Sequence, residues 1–267
     1  TQRHSLNING GTEKATYFAG ISYYDQDGNI GRLSYDRWNF RAGVNANISK
    51  WFKASLQVSG DYGEMNKAKN GLSGGGNDLD YNTLLTHSRW VPDYINGLPI
   101  VQSGQQNETP TDLNLYNFSA VQNSPDNIEN QTTNMTINGS VEYDFGWSEI
   151  LKGLKIKATY SKNISTSKSN EIGTTLTVYQ MINRTGSGAH LYTGEGADYS
   201  ESNFQPIEVN NGNNISRMMT RSDSYQMNLN ISYARQFGLH NVSALFSIEK
   251  SEAESEALLG RVSDPYE

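Results

Sequence analysis

Binding chemistry in this sequence concentrates in one irregular stretch, THSRWVPDYINGLP, which sets Arg89, Trp90 and Tyr94 close together. Aromatic faces beside a guanidinium suit stacking on sugar rings or packing against a peptide. Tyr116 and Phe118 in LNLYNFS carry the same chemistry. The plainer reading of all of them is loop-to-loop packing. Other sites read as ordinary structure. Asp25, Asp27 and Asn29 in DQDGN resemble the start of a calcium loop, but the sixth position is Ile30 and the twelfth is Asp36. Such a loop needs Gly and a bidentate Glu at those places, so DQDGN is a plain Asp-Gly turn. GLSGGGND lacks the Lys-Ser/Thr ending of a phosphate-binding loop and reads as a flexible connection. His4, His87, His190 and His240 are scattered, without metal-ligand spacing. Sequons at Asn117, Asn134, Asn163 and Asn230 are expected by chance in an Asn- and Ser-rich chain. No Ser-His-Asp set or carboxylate pair stands out, so no catalytic residue, metal or cofactor is assigned.

The elements that would position these residues are set by alternation. In YDRWNFRAGVNANISKWFKASLQVSGDY, Trp38, Phe40, Ala42, Val44, Ala46 and Ile48 are apolar against Asn39, Arg41, Gly43, Asn45, Asn47 and Ser49. After a tight break the pattern resumes, with Phe52, Ala54, Leu56 and Val58 against Lys53, Ser55, Gln57 and Ser59. Successive strand side chains point to opposite faces, so this is a hairpin with one greasy and one wet face. Each arm is longer than the usual ~5–6 residues of a globular strand. Strands of ~9–11 residues alternating in this way are what a tilted membrane-spanning β-strand requires.

The same rhythm recurs along the chain. Apolar rows run through Leu6–Ile8, Tyr17–Tyr23, Met135–Phe145, Leu154–Tyr160, Tyr225–Tyr233 and Val242–Ile248, about eight strands in all. Residues 66–131 and 165–220 lose the alternation and are expected to be long polar loops, the first with a short helix near Asp80–His87. ALLGRVSDPYE is expected to be a polar tail. Connections alternate between short and long, as in outer-membrane barrels with short periplasmic turns and longer outer loops. Turns near Gly11, Ser49, Trp147 and Phe237 are then periplasmic. Aromatic girdles are expected at Trp51, Phe52, Phe145, Trp147 and Phe237 below, and at Tyr23, Tyr35, Trp38 and Tyr62 above. Inward-facing Asn39, Arg41, Asn45, Asn138 and Asn228 would line the lumen or meet a plug; simple solvation is their plainer role.

Composition agrees. Of 267 residues only 35% are hydrophobic, mean hydropathy is −0.66, yet aromatics reach 10%. A disordered chain would be poor in aromatics. No apolar run is long enough for a transmembrane helix. The absence of cysteine leaves no disulfide or thiolate site. A net charge of −7 offers no basic stripe for nucleic acid. The chain starts at Thr1 without a signal peptide, so either a signal has been removed or the sequence is an excerpt. The first strand must run toward the periplasm and the last one outward, so further strands are expected on both sides, in a wider barrel.

SLNINGGTEKATYFAGISYYDQDGNI followed by YDRWNFRAGVNANISKWFKASLQVSG resembles the SusC/RagA family of TonB-dependent transporters. The positions that carry the resemblance are Gly10, Gly11, Tyr17, Tyr23, Asp27, Gly28, Arg37, Arg41, Asn45 and Trp51, dense over 4–60 and loose afterwards. The resemblance implies an all-β transmembrane barrel of about 22 strands with a plugged lumen. It implies import of large nutrients, oligosaccharides or peptides, through the outer membrane. It further implies a SusD-like lipoprotein lid, which Arg89, Trp90 and Tyr94 could also contact, and energy from the TonB complex through N-terminal parts. Plug and TonB box are not recognisable in these residues. The rival readings are a passive porin, a small self-closed barrel, a barrel enzyme needing an inward nucleophile beside a His, and a soluble β-sandwich whose apolar rows would be buried.

Overall fold

The computed structural model of the chain describes residues 1–70, 89–101, 117–186 and 191–263. The strands are β1 (Gln2–Gly11), β2 (Ala15–Asp27), β3 (Leu33–Asn47) and β4 (Phe52–Ala68). A miniature hairpin, β5 (Tyr94–Ile95) and β6 (Leu98–Pro99), precedes the helix α1 (Phe118–Asn123). Then come β7 (Asn127–Asp144), β8 (Leu154–Met181), β9 (Phe204–Phe237) and β10 (His240–Ser263). Apart from the miniature hairpin, the strands form one antiparallel eight-stranded sheet in the order β1-β2-β3-β4-β7-β8-β9-β10. The fold is all-β, of barrel-wall type, and β1 and β10 are the two edges of an open sheet.

Tight turns fix the register. At Ile48–Trp51 the Ser49 hydroxyl accepts from the amides of Trp51 (3.2 Å) and Phe52 (3.1 Å). Thr12 does the same between β1 and β2, accepting from Lys14 at 3.2 Å and Ala15 at 3.3 Å. Serine and threonine hydroxyls can hold a reversing backbone in this way. With that closure, Trp38 pairs with Tyr23 on one side and with Tyr62 on the other. Gly238 closes the β9–β10 turn at φ 59°, in the left-handed region that glycine enters without penalty.

Three expectations about the connections and the C-terminal segment are corrected. Residues 165–220 are not one long loop: β8 continues to Met181 and β9 begins at Phe204, leaving 182–203 as the connection. The segment Ala257–Ser263 is not a tail but the upper part of β10, paired from Ala257↔Thr220 to Ser263↔Asn214. Above the apolar belt polar residues fall on both faces and apolar ones such as Leu258 and Leu259 stand side by side, so the period-two signal disappears while backbone pairing continues. The stretch 66–131 also shrinks, because β4 runs to Ala68 and β7 starts at Asn127. The helix expected near Asp80–His87 lies outside the described residues.

Tight packing sits where the upper connections fold over β8 and β9. One cluster joins Val101, Val121, Val178 and Val209; a second joins Val91, Ile95, Ile100, Met181 and Phe204. Asn117 organises this region. Its Oδ1 accepts from the amide of Ala120 (2.7 Å), capping α1, while its Nδ2 donates to the carbonyls of Asp93 (2.9 Å) and Ile100 (2.8 Å). By contrast the rows of the sheet are open: Leu6 is 70% exposed and Phe246 58%. Those rows are not buried between two sheets, which removes the sandwich reading.

Candidate functional site

The eight-stranded register sorts the sheet into two chemically different faces. On the apolar face, Tyr23, Trp38 and Tyr62 share a rung that continues through Thr133, Thr166 and Arg221 to Glu256. The apolar row of β10 begins only at Ile248, eight residues below Glu256. The lower edge behaves alike. The rung of Tyr17 passes through Val44, Leu56, Gly139, Tyr160 and Met227 to Lys250, and the apolar row of β10 ends at Val242, eight residues below it. Both edges therefore slip by eight residues over the six strand steps from β2 to β10. At ~3.3 Å per residue and ~4.8 Å per strand, this is a slab cutting the strands at about 40°.

The slab is tallest at its middle strands, for the rows of β2 (Tyr17–Tyr23) and β10 (Val242–Ile248) cover only six residue steps. Its longest apolar row, Phe52 to Tyr62, covers ten residue steps on β4. At about 3.3 Å per step and a 40° tilt, the row rises roughly 25 Å. Aromatic rings gather at its edges. Tyr23 and Trp38 lie 4.6 Å apart between ring centroids, and Tyr143 and Phe145 lie 4.8 Å apart, edge to face. Tyr35, expected in the upper girdle, belongs to the other face, where its ring lies 6.2 Å from that of Tyr24. Three residues separate Tyr35 from Trp38, and an odd step along a strand always changes face.

The polar face carries a hydrogen-bonded lattice. Ser161 donates to Asn138 (2.8 Å), Ser165 to Asn134 (2.7 Å) and Ser169 to Asn130 (2.6 Å), a regular series between β7 and β8. Ser55 and Ser140 are 2.7 Å apart, and Thr136 donates to Asn163 at 2.9 Å. With each asparagine oxygen occupied by a hydroxyl, its amide protons turn elsewhere; that of Asn134 reaches Asp61 at 3.1 Å. Asp61 is also paired with Arg37 at 3.2 Å.

Two grooves run over this lattice. The larger, about 510 Å³, is lined by residues including Arg3, Asn7, Asn39, Arg41, Asp61 and Asn134. The second, about 350 Å³, includes Asn45, Asn138 and Asn228. The register thus divides the five polar residues singled out from the sequence between two neighbouring grooves. Arg41 stands over the Phe18 ring with 6.0 Å between guanidinium carbon and centroid. Asn39 donates to the Ser22 hydroxyl at 3.3 Å. Arg3, Arg37 and Asp61 were missed as site residues. Parity alone would have placed them on this face; the rungs that gather them come from strand pairing.

The aromatic candidates sit elsewhere, in the upper connections. Trp90 is 75% exposed, beside the buried Val91. The Tyr94 hydroxyl accepts from the Asn123 amide at 3.2 Å, holding it near the end of α1. Arg89 is exposed in the same turn, and Tyr116 lies outside the described residues. In the nearby 182–203 connection, hydrogen bonds from Ser200 hold the Asp198 carboxyl below its usual range. Among the described residues no group of three or more His, Asp or Glu is arranged to hold a metal. No described helix is long and apolar enough to cross a membrane, which says nothing about crossing by strands.

Known proteins were compared once this geometry was in hand. No family model and no curated protein matches the chain. Solved structures do match. The RagAB peptide importer in its open-open state superposes with a TM-score of 0.62 at 18% identity, over 97% of this chain and 25% of that one. Its closed-closed state gives 0.60 at 18% identity, over 99% and 26%. A further RagAB peptide transporter structure gives 0.58 at 17%, over 99% and 26%. The likeness shows the fold. This chain spans about a quarter of the length of those it resembles.

Proposed function

We propose that this chain forms part of the wall of an outer-membrane β-barrel that imports large nutrients, peptides or oligosaccharides. The observation that carries the reading is the slanted apolar slab, rising to roughly 25 Å at its longest rows and crossed by strands at about 40°, with a wet, grooved face behind it. A flat hydrophobic band crossing the rungs obliquely is what a bilayer imposes on a tilted barrel, because the membrane edge is level while the strands lean. The polar face is then the lumen, and the grooves holding Asn39, Arg41, Asn45, Asn138 and Asn228 face passing substrate. The connections at 69–126 and 182–203, with Arg89, Trp90, Tyr94 and Tyr116, lie on the outer side and receive substrate together with a SusD-like lipoprotein. The resemblance of residues 4–60 and the RagAB likeness support the importer class over a porin. Energy would come from the TonB complex through a plug carried elsewhere in the protein.

Fractionation and uptake test the reading together. The intact protein should be found in outer membranes, co-purify with a surface lipoprotein, and take up labelled oligopeptide or oligosaccharide. Collapse of the proton-motive force should stop uptake. Uptake that continues unchanged would identify a passive porin, and a protein absent from the outer membrane would refute the barrel itself.

A further inference from the structure

The larger groove on the polar face has a charge that the rest of the wall does not share. Arg3, Arg37 and Arg41 lie at or beside it, against the single carboxylate of Asp61, which Arg37 already holds at 3.2 Å. Arg3 and Arg41 make no ion pair among the described residues. Lower on the same face each cation has a carboxylate beside it: Glu142 lies between Lys53 and Lys157 on one rung, and Lys155 pairs with Asp144 at 3.2 Å. An uncompensated pair of guanidinia in a chain of net charge −7 is therefore local to this groove.

Its shape agrees with its charge. Gly20 lies on one rung between Asn7 and Arg41. A Cβ at Gly20 would come within 2.5 Å of Asn7 Oδ1 and 3.5 Å of Arg41 Cγ, so the absence of a side chain there is what lets Asn7 pack in beside Arg41. Ser5, Ser22, Ser59 and Thr136 add neutral hydroxyls around it. A planar fork of donors lining such a groove matches a carboxylate, and a partly enclosed groove strengthens the attraction relative to open water.

We infer that this groove binds the carboxylate side chains of acidic peptides on their way through the barrel, with Arg41 as the main contact and Arg3 as the second. The inference rests on the importer reading above. The source of the peptide is the imported substrate rather than a segment of the protein itself. The groove lies on the rungs next to Trp38, Phe40 and Tyr62, level with the upper half of the slab and below the long connections, where a substrate passing through the barrel would meet it.

Titration calorimetry on the intact protein, purified from outer membranes in detergent, tests this. The probes are a capped hexapeptide containing three glutamates and a twin with glutamine at each of those places. The glutamate peptide should bind about tenfold more tightly, as one charge-assisted contact supplies. That preference should fall away in Arg41→Ala with Arg3→Ala, persist in part in Arg41→Lys, and shrink at high salt. Equal binding of both peptides to the parent protein overturns the inference while leaving the importer reading in place. Binding of neither peptide counts against peptide import itself. A preference that survives the double substitution, while thermal stability falls, overturns the inference too, because Arg41 would then be holding the protein's own chain.

Discussion

Replacing Asp126 by alanine should loosen the upper, outer part of the wall and leave its lower half untouched. Asp126 is fully buried where β4, β7, β8 and β9 meet. Its carboxylate accepts from the Thr174 hydroxyl at 2.8 Å and, closely, from the Asn211 amide. Its backbone carbonyl accepts from the amide of Lys69 (3.3 Å) and from the Arg32 guanidinium. The backbone contacts survive the substitution, and Asn211 keeps its bond to the Lys69 carbonyl at 2.9 Å. What is lost is two hydrogen bonds to a charged acceptor, each worth about 1.5–3 kcal/mol, with Thr174 free to turn toward another partner. A net loss of about 3 kcal/mol follows, equivalent to roughly 150-fold faster local opening. Hydrogen exchange on the intact protein would read it at residues 174–181 and 204–211, with the β3–β4 hairpin as the internal control. Asp126→Asn, which keeps one acceptor but sets an amide against Asn211, should cost less, about 1–2 kcal/mol. Unchanged exchange at 174–181, or an equal rise in the β3–β4 hairpin, would refute the account of Asp126 as a local pin.

Three further substitutions probe the two faces and the upper connections. Leu56→Arg on the apolar face should cost about 2–4 kcal/mol in lipid, whereas Gln57→Arg, one residue on, should cost under about 1 kcal/mol. Urea unfolding from vesicles would compare them, and equal costs would remove the bilayer from the explanation. Asn117→Ala removes the cap of α1 and two bonds to backbone carbonyls, that of Ile100 buried and that of Asp93 partly so, a loss of about 2–4 kcal/mol confined to residues 91–101 and 117–124. Limited proteolysis should then cut within that region, while continued resistance would count against Asn117 as its organiser. Trp90→Ala should change stability by less than about 0.5 kcal/mol, since the ring is largely solvated. If Trp90 receives substrate, uptake should fall at unchanged thermal stability; a drop in melting temperature with uptake intact would return it to loop packing.

Much of this fold is legible from period two. Trp38, Phe40, Ala42 and Val44 announce a face, Asn39, Arg41 and Asn45 announce its opposite, and Ser49 marks the turn between β3 and β4. The signal fails where both faces are wet. Lys162, Ser165, Ser167 and Lys168 give no alternation, so the upper part of β8 reads as loop, although their pairing with Tyr225, Ser222, Thr220 and Met219 of β9 has the same register as the segment below. Burial makes the pattern and hydrogen bonding makes the strand, and over residues 161–169, between the slab and the packed upper connections, the second holds the strand. Tyr35 marks another limit. Clustering in sequence grouped it with the girdle, while its odd step from Trp38 sends it to the opposite face.

The sequence by itself determined the strands through the slab, the two faces and the alternation of short and long connections, because side-chain direction and turn chemistry are local. The tertiary structure decided which residues share a rung. That pairing converts eight separate apolar rows into one level slab, brings Arg37 to Asp61, and sets Asn7, Gly20 and Arg41 on one rung. Rung partners lie 17 to 85 residues apart in contacts such as Asn39–Ser22 and Ser55–Ser140. They are set by where each turn closes and how far each strand slides past the next, a property of the whole sheet that no single segment contains.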